Sequence, residues 1–211
     1  MAGEINTQTV IDELLPALHS SSRANLTFWS EQDLEEWIDD SLKRLSRVCG
    51  IFVERSADNT TVNGTSSYLL PTRHVATLHV SYGTRPLRPA NSIELEMRNP
   101  SYRTVPATVA LPPSYWYEDL EGNATLRITP VPIAAVSLPI ICTVFPTEVD
   151  TAESNTLVQA PAPVAGYLAM YTLSKAFGKE GESEMPDVGM HCAARCEMYE
   201  QLLQSYYGPG C

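Results

Sequence analysis

The sequence predicts an α+β fold, with helical N- and C-terminal segments forming a small bundle around an inserted antiparallel β-rich sheet or sandwich. Three observations predict it. Apolar residues recur at helical spacing up to about residue 50 and again beyond about residue 156. Between these limits, short β-branched and aromatic runs replace that pattern. Prolines 86, 89, 100, 106, 112, 113, 130, 132, 139 and 146 punctuate the runs. Proline suits strand ends, edges and loops, which argues against a parallel α/β sheet. The organisation expected is 1–50 N-terminal helices, 51–150 β-rich insertion, 151–204 C-terminal helices and 205–211 a docking tail.

The first element is a short helix within "QTVIDELLPALH", where Val10, Ile11, Leu14, Leu15 and Leu18 share a face and Pro16 kinks or divides it. "SSSRAN" reads as a polar linker. The next helix lies within residues 28–50. Ser30 is its N-cap and Asp33 completes a weak capping box. Leu34, Ile38, Leu42 and Leu45 form its stripe with Trp37 beside them, and Gly50 stops it. Acidic residues crowd its first turns, and Lys43, Arg44 and Arg47 its last, an order that complements the helix dipole. The polarity is thus explained by helix stability without an active site.

In the middle region "ADNTTVNGTSS" reads as a loop, and "YLLP", "HVATLHVSYG" and "SIELEMR" as short strands. "SYWYEDLEGNATLRITPVP" reads as a hairpin turning at Glu121-Gly122-Asn123, and "AAVSLPIICTVFPTEV" as a further strand. Alternation puts Tyr115 and Tyr117 on one face and Trp116 on the other, as core packing residues or an interface. After residue 156 a helix within "APVAGYLAMYTLSKAFG" carries Val164, Leu168, Tyr171 and Phe177, and Gly178 ends it. A last helix starts near Asp187 and runs to Gly208.

Catalytic and metal constellations are weak. Cys192 and Cys196 stand i, i+4 beside His191, but a structural zinc needs a second ligand pair that the spacing does not supply. The neighbours Glu35-Glu36 and Asp39-Asp40 diverge on a helix and cannot converge on one substrate. No nucleophile elbow, phosphate loop or H-E-x-x-H occurs. The expectation is a non-enzyme without metal or cofactor.

The formal charge of −11 argues against wrapping nucleic acid, because phosphate binding needs clustered cations. It suits a wall past which DNA slides. No run of about 18 apolar residues exists for a membrane span. The start, "MAGEINTQTVIDELL", lacks the basic and apolar regions of a secretory signal, so the chain is expected to stay in the cytoplasm where it is made. Five cysteines at irregular spacing fit reduced thiols.

The order of motifs resembles the head-to-tail adaptor, or connector, proteins of tailed bacteriophages. The residues that carry the resemblance are Trp29, Leu34, Trp37, Ile38, Asp39 and Asp40 in the helix, then Leu69, Leu70 and Pro71, then Trp116, Gly122, Ile128, Pro130 and Pro132. It covers roughly residues 27–207; Asp39 stands where Asn is frequent. The resemblance implies a structural virion protein of the neck, assembled in the host cytoplasm. It would form a ring, usually twelvefold, under the portal protein, extend the channel for double-stranded DNA, and present a platform to a tail or neck protein. It implies that the C-terminal segment, here Tyr206, Tyr207, Gly208 and Pro209, docks on the portal. Leu34, Trp37, Ile38, Leu42 and Leu45 would pack the ring wall or contact a neighbour. The alternatives are another neck or tail-completion protein, and a soluble ligand-binding or enzymatic β-module flanked by helices.

Overall fold

The computed structural model describes residues 4–18, 28–56, 59–108, 111–119, 125–146, 157–159, 163–179 and 185–207. In chain order the elements are β1 (Glu4–Asn6), α1 (Thr7–Leu14), α2 (Glu31–Cys49), β2 (Val53–Ser56), β3 (Ser67–Leu69), β4 (His74–Tyr82), β5 (Arg85–Pro86) and β6 (Arg88–Pro89). There follow α3 (Ser92–Arg98), β7 (Tyr115–Asp119), β8 (Thr125–Thr129), β9 (Ile140–Val144), β10 (Leu157–Gln159), α4 (Val164–Gly178) and α5 (Pro186–Tyr207). The fold is α+β, helical at both ends with strands between. It divides into a helical unit, Met1–Phe52 with Phe145–Cys211, and a β unit, Val53–Val144.

In the helical unit, α2 forms where its caps and stripe require. Ser30 accepts from the Asp33 N–H while the Asp33 carboxylate accepts from the Ser30 N–H, both at 3.0 Å, closing a capping box. Gly50 ends the helix in the left-handed region at φ 62°, a conformation that costs glycine nothing. Leu34, Ile38, Leu42 and Leu45 are fully buried. They share one core with Val10, Ile11, Leu14 and Leu18, with Val164, Tyr167 and Leu168 of α4, and with Cys192, Cys196 and Leu203 of α5. Each such aliphatic side chain stabilises the fold by about 1.5–3 kcal/mol through burial. α1 stops at Leu14, two residues before Pro16, and a turn carries buried Leu18. Pro186 opens α5, where its missing N–H costs no intrahelical bond.

The β unit contains two four-stranded sheets, ordered β2-β9-β4-β5 and β3-β8-β7-β6. The segment 85–89 belongs to both. β5 pairs with β4, Leu87 turns the chain with its N–H donating to the Val80 carbonyl at 2.9 Å, and β6 pairs with β7 in parallel. The two prolines at the paired ends fit a strand that changes sheet. Leu70, Val80, Leu87, Trp116, Leu126, Ile128, Leu138 and Ile140 form the core. β7 and β8 are antiparallel, from Tyr115 opposite Thr129 to Asp119 opposite Thr125. The turn expected at Glu121-Gly122-Asn123 and the linker "SSSRAN" lie outside the described residues.

Three expectations need correction. "SIELEMR" is helix α3 and not a strand. Its alternation is real, but Asn91 caps the Ile93 N–H at 2.9 Å, Glu94 pairs with Arg98 one turn on, and only Leu95 of the seven is buried. The region after 156 begins with strand β10, which pairs antiparallel with β1 across a separation that no local periodicity reports. The third correction is β2, a strand the local sequence does not announce, because its partner β9 lies 84 or more residues along the chain.

Candidate interaction surfaces

Helix α5 is apolar on two sides. Gly189, Cys192, Cys196 and Leu203 face the core. On the other side Met190, Met198, Leu202 and Tyr206 are 65%, 69%, 50% and 70% exposed, with Ala194 between the first two. Positions 190, 194, 198, 202 and 206 are successive i, i+4 neighbours, so they line up as one outward ridge about 24 Å long. Tyr207, in the last turn, is also exposed. Gly208 and Pro209 lie outside the described residues, and α5 carries residues 205–207 of the expected tail as helix.

One polar cluster of this unit centres on a buried carboxylate. Glu200 of α5, 8% exposed, receives both arms of the Arg44 guanidinium, from Nε at 2.6 Å and Nη2 at 3.1 Å. The Tyr167 hydroxyl of α4 donates to Glu200 Oε1 at 2.8 Å. One carboxylate thus ties α2, α4 and α5 together with a bidentate fork, the strongest geometry for such a pair. Its hydrogen bond holds Arg44 above the usual guanidinium value. Burial, reinforced by Cys196 and Glu200, pushes the Tyr167 hydroxyl far above the usual tyrosine range. Burial also raises the Cys49 and Cys196 thiols to about 11 and moves Cys192 the same way. They are neutral packing groups near pH 7.

His191 lies on the exposed side of α5, away from buried Cys192 and Cys196, so the three do not converge. Among the described residues no three His, Cys, Asp or Glu side chains are grouped to hold a metal. The acidic neighbours diverge too: Glu35 is buried while Glu36 is exposed, and Asp39 pairs with Lys43 at 2.6 Å while Asp40 faces out.

Trp37 is half-buried against the core, with Lys179 over its ring at 5.7 Å. The anchor tryptophan is Trp29. Its Nε1 donates to the Ala176 carbonyl at 3.0 Å, and its ring meets Phe177 edge-on at 6.0 Å. Lys179 also reaches Asp33 at 3.0 Å, fastening the α2 N-terminus to the end of α4.

In the β unit Trp116 faces the sandwich core, while Tyr117 packs with Leu95 and Tyr102 on the other side of β7, and Tyr115 is half-buried beside them. Burial raises the Tyr117 hydroxyl well above its usual range. Ile93 and Met97 of α3 and nearby Leu111 are exposed, and Leu111 borders a cleft of about 270 Å³ with Leu95 and Tyr102.

Sequence reasoning missed Glu200, Tyr167 and Trp29 as structural centres. The signal available was a glutamate among apolar α5 positions, in phase with Cys192, Cys196 and Leu203. No helix among the described residues is long and apolar enough to cross a membrane.

An apolar ridge exposed on the outer side of α5 is the mark of a contact face. The family described as SU10 adaptor protein matches residues 5–208, and the chain belongs to this family of phage head-to-tail adaptors. No curated protein matches the chain. Membership makes it a structural phage protein of the virion neck.

Proposed function

We propose that the protein forms a ring, twelvefold as in related adaptors, beneath the portal of a filled head. The ring extends the DNA channel and carries the platform on which the tail or a neck protein seats. The observation that carries this reading is the exposed ridge of α5 on a protein of an adaptor family. A closed ring needs two different patches on each subunit. The charged outer side of α2, with Glu36 and Asp40 in its first half and Arg47 in its second, faces a neighbour or the lumen. The net charge of −11 per chain keeps DNA from being trapped as it passes.

The C-terminal end, led by Tyr206 and Tyr207 and continued by Gly208 and Pro209, docks on the portal. Tyrosine suits this because it buries much area at small entropic cost. Many copies act together, so avidity offsets the ordering of each. The test is complementation of an adaptor-deficient phage with the chain lacking residues 205–211. Filled heads without tails, and a truncated protein with unchanged circular dichroism, are expected. Normal tailed particles would refute the docking role.

A further inference from the structure

The outer ridge of α5 has flanks of opposite charge. Arg195 stands on one side of the Met198 line, in a groove of about 260 Å³ formed with Met198, Tyr199 and Leu202. Glu197 stands on the other side, in a cleft of about 420 Å³ that also holds Met190 and Ala193. Both residues are exposed. No oppositely charged residue lies three or four positions from either along the helix. The Glu197 cleft also contains Arg44 and Lys175, but Arg44 is committed to Glu200 and Lys175 lies over the Tyr171 ring at 5.4 Å.

Two residues of helix separate Arg195 from Glu197 by about 3 Å along the axis, so the opposite charges stand at nearly one height. A second copy laid alongside in the same direction brings the Arg195 flank of one against the Glu197 flank of the other. An antiparallel copy brings like against like, which is unfavourable. A ridge about 24 Å long and about 10 Å wide offers about 240 Å², whereas each partner in a stable contact buries about 800 Å². The ridge alone is therefore too small, and the Arg195 flank of one copy and the Glu197 flank of the next are the two different patches of a head-to-tail contact that further surface must complete.

We propose that α5 packs in parallel orientation against α5 of a second copy of this chain, with Arg195 of one copy facing Glu197 of the next. This deepens the ring reading above and rests on it. The test places a benzoylphenylalanine photo-cross-linker at Met198, in particles made by a phage whose adaptor is this variant. Irradiation is expected to give adaptor–adaptor adducts joining two α5 peptides. Adducts to a portal or tail protein, adducts to peptides outside α5, or no adduct from incorporated protein would each overturn the packing and leave the adaptor reading standing. Absence of the wild-type protein from purified particles would sink both.

Charge reversal tests the orientation. Arg195→Glu and Glu197→Arg should each lower the copies per particle at least tenfold, and the double variant should restore them. A double variant that stays low while folding normally by circular dichroism contradicts the parallel arrangement.

Discussion

The helical and β units solve burial differently. The helical unit has one continuous core with an ion pair at its edge, where half-exposed Arg44 and the Tyr167 hydroxyl both bond the Glu200 carboxylate. The β unit divides its apolar groups into a sandwich core and a small cluster of Leu95, Tyr102 and Tyr117, and joins its sheets through the short segment 85–89. Both leave apolar surface outside, but in different forms. The helical unit aligns Met190, Met198, Leu202 and Tyr206 on one long ridge of α5; the β unit scatters its exposed groups, with Ile93, Met97 and Leu111 at α3 and Val53, Val62, Leu69, Leu78 and Ile133 elsewhere. A long, regular face on a rigid helix can repeat a contact identically in every copy. A small patch beside a cleft is better suited to one anchoring side chain. The helical unit is thus the better candidate for the wall of the proposed ring, and the β unit for a more local contact.

The largest effect that tests this contrast is in the helical core. Trp29→Ala should cost about 3–5 kcal/mol by urea denaturation, because it removes a buried ring and orphans the Ala176 carbonyl. Trp37→Ala, half-buried beneath Lys179, should cost only about 1–2 kcal/mol. Equal losses would show that the two tryptophans are not differently engaged. In the β unit Leu126→Ala should cost about 2–3 kcal/mol, at the lower end for a buried leucine because the surrounding cluster is small. Glu200→Ala comes next at about 2 kcal/mol: the bonds to Arg44 and Tyr167 are lost, but the half-exposed Arg44 turns to solvent and recovers part. A variant as stable as wild type would mean that the ion pair does not hold the three helices.

The smallest expected effect is at the α2 cap. Asp33→Asn should cost about 0.5–1 kcal/mol at pH 7. The Ser30 backbone N–H, followed by the Ser30 hydroxyl and Lys179, and against a contribution from burial, holds the Asp33 carboxyl below its ordinary value of 3.8. A depressed folded pKa gives stability that is present above the unfolded value and lost as pH falls through the folded one. The stability gap between wild type and the Asp33→Asn variant should therefore be constant from pH 7 to about 5 and shrink below pH 3.8. A gap that persists in full at strongly acid pH would mean the charge is not what the cap uses.

Much of this architecture was legible because it is local. The capping box of Ser30 and Asp33, the stop at Gly50, the stripe Leu34-Ile38-Leu42-Leu45 and the alternation around Trp116 are all written within a few residues. What was illegible depends on distant partners. β1 and β10 meet only through the folded chain, and Trp29 is an anchor because Ala176 and Phe177 arrive beside it. α3 was misread because Ile93, Leu95 and Met97 alternate as a strand would, while the Asn91 cap selects the helix. The α5 ridge was hidden for a related reason. Its methionines and leucine are as apolar as core residues, and only the folded chain puts Cys192, Cys196 and Leu203 on the core side. Tyr206 and Tyr207, which the resemblance implicates in docking, lie exposed at the end of that helix.

The central claim is that this protein works through the outer face of α5 and not through a pocket. The most direct measurement pairs stability with assembly for one variant, Met198→Glu with Leu202→Glu. Both side chains already face outward, so the urea midpoint should match wild type within about 0.5 kcal/mol of stability. Electron microscopy of phage complemented with this variant should then reveal filled heads lacking tails. Normal tailed particles from a variant of unchanged stability would contradict the account.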